Sequence, residues 1–214
     1  MFSRTPSRLS PDGSPGGTLG PGRPSEPQFV GAAGLVAPLA EFYALRSQTL
    51  PPVSVVEPLS LPEPQRSLLV HEADMTRTLE RFYHKTLHLR VLQRRHEKLP
   101  TGEERYGREL VLVLDGSEQP VEFGAIQIHL DRLPPATREQ ILAEKRPLGA
   151  ILNESGLTYH SRPAAFLRVA SDQYITESLG LRGTQLLFGR RNRLLTGNGD
   201  LLADIVELLP PARS

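Results

Sequence analysis

The stretch YGRELVLVLDGSEQPVEFGAIQI, residues 106–128, decides how the chain is read. Tyr106 to Leu114 has the apolar, β-branched content of a strand. Asp115-Gly116 is a turn signal, and Val121 to Ile128 supplies a partner. Strands joined this closely form an antiparallel hairpin. Successive side chains of a strand point to opposite faces. One face of the first strand therefore carries Tyr106, Arg108, Leu110, Leu112 and Leu114, and the other Gly107, Glu109, Val111 and Val113. Arg108 sits among leucines.

Working outward, Leu87, Leu89 and Val91 alternate with His88 and Arg90, the period of a half-buried strand. Residues 95–105 are charged and loop-like. Leu157–Val169 and Thr184–Leu195 read as strands, and Thr196-Gly-Asn-Gly-Asp200 turns the chain into a last strand, Leu201–Leu209. Helical spacing of Leu35, Leu39, Phe42 and Leu45 predicts an amphipathic helix over 34–47. Asp74 is a good N-cap for a helix that puts Met75, Leu79 and Phe82 on one face. Pro134-Pro135 opens a helix reaching about Glu144, and a short helical piece follows over 147–152. The proline-rich residues 49–66 should run extended along the surface. Residues 169–183 give no clear signal, and there are no internal repeats. Hairpins with a few helices between them indicate an α+β fold with an antiparallel sheet.

The last strand repeats the problem posed by Arg108. Leu201, Ala203, Ile205, Glu207 and Leu209 share one face, and Leu202, Asp204, Val206 and Leu208 the other. A charge taken out of water without a partner costs several kcal/mol. Alternation alone leaves two readings open. Arg108 and Glu207 pair with other side chains or lie at the sheet rim, or they meet a small acidic ligand, Arg108 forking onto a carboxylate and Glu207 meeting a hydroxyl.

Composition narrows the field. Of 214 residues, 38% are hydrophobic and 23% charged, enough for one folded core. With 25 basic and 24 acidic residues the formal charge is +1, which gives no reason to expect a nucleic-acid partner. The chain has no cysteine, so disulfides, thiolate metal sites and cysteine nucleophiles are excluded. No apolar run approaches the roughly 20 residues that span a bilayer. Met1 to Phe29 lacks the apolar core of a secretory signal. The expectation is a cytoplasmic monomer with no membrane partner. Residues 1–29 hold 16 Pro, Gly or Ser and read as a disordered tail, with a transit-like or linker segment as the alternative, and residues 30–211 as one domain.

Six short motifs then carry a resemblance. Glu72-Ala-Asp-Met75-Thr76 lies at a helix start, Arg108-Glu109-Leu110 at a strand start, and Leu130-Asp-Arg-Leu-Pro134 before a helix. Pro147-Leu148-Gly149 follows, then Gly189-Arg-Arg-Asn-Arg193-Leu194, and last Glu207 near the end of the closing strand. In this order, across residues 72–210, they resemble the chorismate pyruvate-lyases. The resemblance covers neither the tail nor residues 30–65.

It implies a single antiparallel sheet whose flanking helices form flaps over a buried pocket. It also implies an enzyme, a carbon–oxygen lyase that turns chorismate into 4-hydroxybenzoate and pyruvate with no cofactor and no metal, in aromatic-acid biosynthesis with ubiquinone biosynthesis as one outlet. Arg108 would hold the ring carboxylate, and Met75, Leu148 and Gly149 would line the site from the flaps, chiefly through backbone. Glu207 would meet the ring hydroxyl and, with Arg108, serve as catalytic residue. An arginine of the 189–194 motif would brace the pocket. The spacing from Gly199 to Glu207 matches some members, while others are one residue shorter. A bulge could absorb the difference; otherwise Asp204 is the inward acid.

Other signals are weaker. Arg190, Arg191 and Arg193 belong more naturally to a solvated strand than to a phosphate patch, for want of interleaved aromatics. His84 and His88 have helical zinc spacing but lack the zincin glutamate. Ser155 and Ser161 lie in no nucleophile elbow. Two other functions stay open: a ligand-sensing effector domain of a transcription regulator on the same architecture, and a silent homologue that only binds an aromatic acid. Residues 1–29 cannot form a helix-turn-helix, which counts against the first.

Overall fold

A computed structural model describes residues 32–212, and the expected tail lies outside them. Seven strands form one antiparallel sheet. They are β1 (Val53–Val56), β2 (Leu87–Lys98), β3 (Glu104–Leu114), β4 (Gln119–His129), β5 (Tyr159–Ala170), β6 (Leu186–Thr196) and β7 (Leu201–Leu209), in the order β1-β5-β6-β7-β4-β3-β2. The hairpin at 106–128 is β3–β4. The last strand inserts beside it, so β7 is central and apolar on both faces, as strands covered on both sides are.

Two cores result, one on each face. Helices α1 (Ala32–Leu35), α2 (Ala37–Leu45) and α7 (Gln173–Ser178) cover Val111, Phe123, Leu167 and Val206. Helices α3 (Gln65–Leu69), α4 (Met75–Tyr83), α5 (Pro135–Leu142) and α6 (Leu148–Glu154) cover Leu112, Ile126 and Ala203. The sheet is thus an α+β architecture with helices on both sides, the fold class expected.

Local readings fared unevenly. α4 begins at Met75, where Asp74 Oδ1 accepts from the Arg77 amide at 2.9 Å. The helix expected over 34–47 breaks at Val36, because Pro38 fits only a first turn. Its buried stripe is Val36, Leu39, Phe42 and Tyr43, while Leu45 is exposed. Residues 49–66 contain edge strand β1 and the start of α3. The prolines flank β1, which itself carries none. β2 runs on through the charged residues to Lys98, its exposed edge accepting charge freely. The unread 169–183 stretch holds α7, capped by Asp172, whose Oδ1 accepts from the Ile175 amide at 2.9 Å.

Candidate functional site

A cavity of about 490 Å³ lies between the sheet and helices α4 and α6. Arg108, Leu110, Ile126, Asn192, Ile205 and Glu207 form its floor, from four adjacent strands. Met75 and Leu148, the first residues of α4 and α6, close it from above, with Pro147 and Gly149 beside them. All five residues singled out from the sequence, Met75, Arg108, Leu148, Gly149 and Glu207, therefore line one hollow.

Gly149 shows how tightly the two helix starts meet. A Cβ there would lie 1.6 Å from Asp74 Oδ2. Only a residue without a side chain lets α6 approach the cap of α4. Asn153 Nδ2 donates to the same carboxylate at 3.4 Å, so Asp74 is shared between both helices.

Arg108 is 1% exposed, yet its Nε and Nη1 have no hydrogen-bond partner. Burial pushes its pKa down, against the opposing effects of Tyr106 and Glu144. Glu144 is engaged elsewhere, accepting from the Tyr106 hydroxyl. Neither bland reading holds for this residue: it is not at the rim and is not paired. Glu109, next in the chain, is as deeply buried on the opposite face, but Arg46 bridges both its oxygens and stacks between the rings of Tyr43 and Tyr174, 4.6 and 4.1 Å from their centroids.

Glu207 is different. Arg190 Nε donates to its Oε2 at 2.5 Å, and Arg190 Nη1 donates to the carbonyls of Leu69 and His71 at 3.1 and 2.8 Å. The arginine of the 189–194 motif thus ties Glu207 to the segment leading into α4. Gly189 permits this strand pairing, since a Cβ there would lie 2.2 Å from the Glu207 carbonyl. Asp204 faces the other way, bound by Arg191 Nε at 2.8 Å, and the bulge falls earlier, between Leu194 and Leu195. Sequence reasoning missed Glu122. It is 5% exposed, lines the cavity, and its Oε2 has no partner. Burial, then the nearby Glu207 charge, hold its pKa well above the carboxylate range. The signal was there: Glu122 shares a strand face with Gly124, Ile126 and Ile128.

Among the described residues no cluster of His, Cys, Asp or Glu could hold a metal ion. No described helix is long and apolar enough to cross a membrane.

No protein-family model matches the chain, and no curated protein matches it either. Solved structures do. The effector domain of PhnF from Mycobacterium smegmatis aligns over 68% of this chain and 93% of its own, with a TM-score of 0.53 and 13% identity. The alignment to the PhnF chain, at the same score and 13% identity, covers 66% of this chain and 65% of that one. The ligand-binding domain of a protein assigned to the GntR family of transcriptional regulators, from Bordetella bronchiseptica, aligns over 59% of this chain and 87% of its own, at 18% identity and a TM-score of 0.45. At such identities the shared feature is the fold.

The likeness to the PhnF effector domain overturns the carbon–oxygen lyase expected from the sequence. With it go chorismate as substrate, 4-hydroxybenzoate and pyruvate as products, and the link to quinone biosynthesis. The catalytic roles expected of Arg108 and Glu207 presupposed that lyase. Glu207, the acid of that expectation, is bound to Arg190. The argument against an effector domain rested on residues 1–29, which lie outside the described residues.

Proposed function

We propose that this chain is a non-catalytic binding module that captures a small organic acid, most naturally one with a flat apolar body. The observation that carries this is the buried guanidinium of Arg108, unanswered by any acceptor at Nε or Nη1, in a cavity with room for a ring. A buried cation without a counter-charge costs several kcal/mol, and a bound carboxylate removes that cost while forming two charge-assisted bonds. The walls beside it, Leu110, Ile126, Leu148 and Ile205, suit an apolar body. Met75, Leu148 and Gly149 would shape the lid, and Glu207, fixed by Arg190, the far wall. The PhnF effector domain supports the reading only through its shared architecture, since fold does not set function.

Calorimetric titration with benzoate and with its neutral isostere benzamide tests this. Benzoate should bind at least about 30-fold more tightly, the worth of charge-assisted hydrogen bonds of about 2 kcal/mol. Arg108→Met should erase that preference. Equal binding of the two ligands, or a preference that survives the substitution, refutes the proposal.

A further inference from the structure

Arg108 is not the only unanswered ionisable group in the cavity. Glu122 Oε2 is buried without a partner, and Glu122 Oε1 stands over Gly124, 3.3 Å from where a Cβ would be. Glu122 pairs across the ladder with Leu112, four residues along β3 from Arg108. At about 3.3 Å per residue and 4.8 Å between strands, their Cα atoms are about 14 Å apart. The two orphans are thus a cation and an acid at different ends of one floor.

The surroundings of Glu122 are short of positive charge. Glu207 on β7 and Asp74 at the start of α4 oppose its ionisation, and only Arg190 on β6 favours it. Arg190 Nε is committed to Glu207 and its Nη1 to two carbonyls. Its Nη2 has no partner, but Arg190 lies behind Glu207 and is not part of the cavity wall. The cationic residues Arg77 and Arg81 line the mouth and are exposed. A ligand entering the cavity therefore meets a cation at one end and an acid lacking its own cation at the other.

We infer that the ligand is a zwitterion, its carboxylate on Arg108 and a protonated amine on Glu122. This rests on the reading of the cavity as an organic-acid site. In the free protein the Glu122 carboxyl keeps its proton, because burial and Glu207 disfavour the anion. An ammonium group supplies the missing counter-charge. Glu122 then ionises, the ammonium donates to its carboxylate, and the displaced proton passes to solvent.

Titration calorimetry in two buffers of different ionisation heat, with three para-substituted benzoates, tests this. The ligands are 4-(aminomethyl)benzoate, the neutral donor 4-(hydroxymethyl)benzoate and the plain 4-methylbenzoate. The pair 6-aminohexanoate and hexanoate repeats the comparison with a flexible spacer. In at least one series the amine should bind at least tenfold more tightly than the counterparts that lack it, with release of close to one proton. Glu122→Gln should abolish both the preference and the proton release. Benzoates that bind through Arg108 with no preference for the amine, or a hydroxymethyl ligand as tight as the amine, overturn the zwitterion while leaving the acid site standing. A preference that persists in Glu122→Gln also overturns it. Absence of binding by every acid overturns both readings.

Discussion

Arg108 and Glu109 are neighbours in the chain that face opposite ways, and only one of them is answered. Glu109 has Arg46, locked between two tyrosine rings; Arg108 has an empty reach into a cavity. Removing an unpaired buried charge should stabilise the free fold. Arg108→Met is accordingly expected to raise the unfolding free energy by about 1 kcal/mol or more, measured by urea denaturation. A protein selected only for stability would not keep the arginine. A loss of stability would mean that Arg108 has a structural partner. Glu122 makes a second prediction at this scale. Folding raises its pKa above the ordinary 4.5, so the folded state holds a proton that the unfolded chain has lost. Its contribution therefore erodes stability as pH rises above that value. Between about pH 5 and about pH 8 the urea midpoint of the wild type should fall more steeply than that of Glu122→Gln. Parallel slopes would mean that Glu122 is already ionised. Arg108 was legible in the sequence because alternation set it among leucines. Glu122 was overlooked because it lies near the start of its strand, close to the turn, where a charge usually means solvent.

At the scale of elements, two glycines hold the site together, and they should fail differently. In Gly189→Ala the new Cβ meets backbone in the centre of the sheet, which cannot yield. A loss of about 3 kcal/mol is expected, the upper end for overpacking. In Gly149→Ala the obstacle is the Asp74 side chain, which can swing away at the expense of the α4 cap, costing about 1 kcal/mol. Calorimetric unfolding separates the two, and a reversed order would contradict this assignment. Elements with strong local signals were readable: β7 was bounded correctly at Leu201 and Leu209, and α4 by its Asp74 cap. Those decided by tertiary context were not. β1 is four residues in a proline-rich stretch and exists only by pairing with β5, while α7 is six residues long. The charged end of β2 looks like loop until Glu104–Leu114 is beside it.

For the whole molecule, the decisive feature is that the last strand enters the middle of the sheet. That insertion brings Glu207 two strands from Arg108, with β4 between them, and makes one floor from residues a hundred positions apart. The order of six short motifs carried this architecture, but not the chemistry. A family likeness in sequence order implied a lyase, whereas the structure pairs Glu207 with Arg190 and leaves Arg108 Nε and Nη1 without a partner, which is the ground for the binding site proposed above. The most direct test is a structure of the protein with 4-iodobenzoate. The iodine should lie inside the cavity beneath Met75 and Leu148, with the carboxylate oxygens about 2.8 Å from Arg108 Nε and a terminal nitrogen. Iodine outside the cavity, or a carboxylate turned to Arg77 and Arg81 at the mouth, would contradict the account.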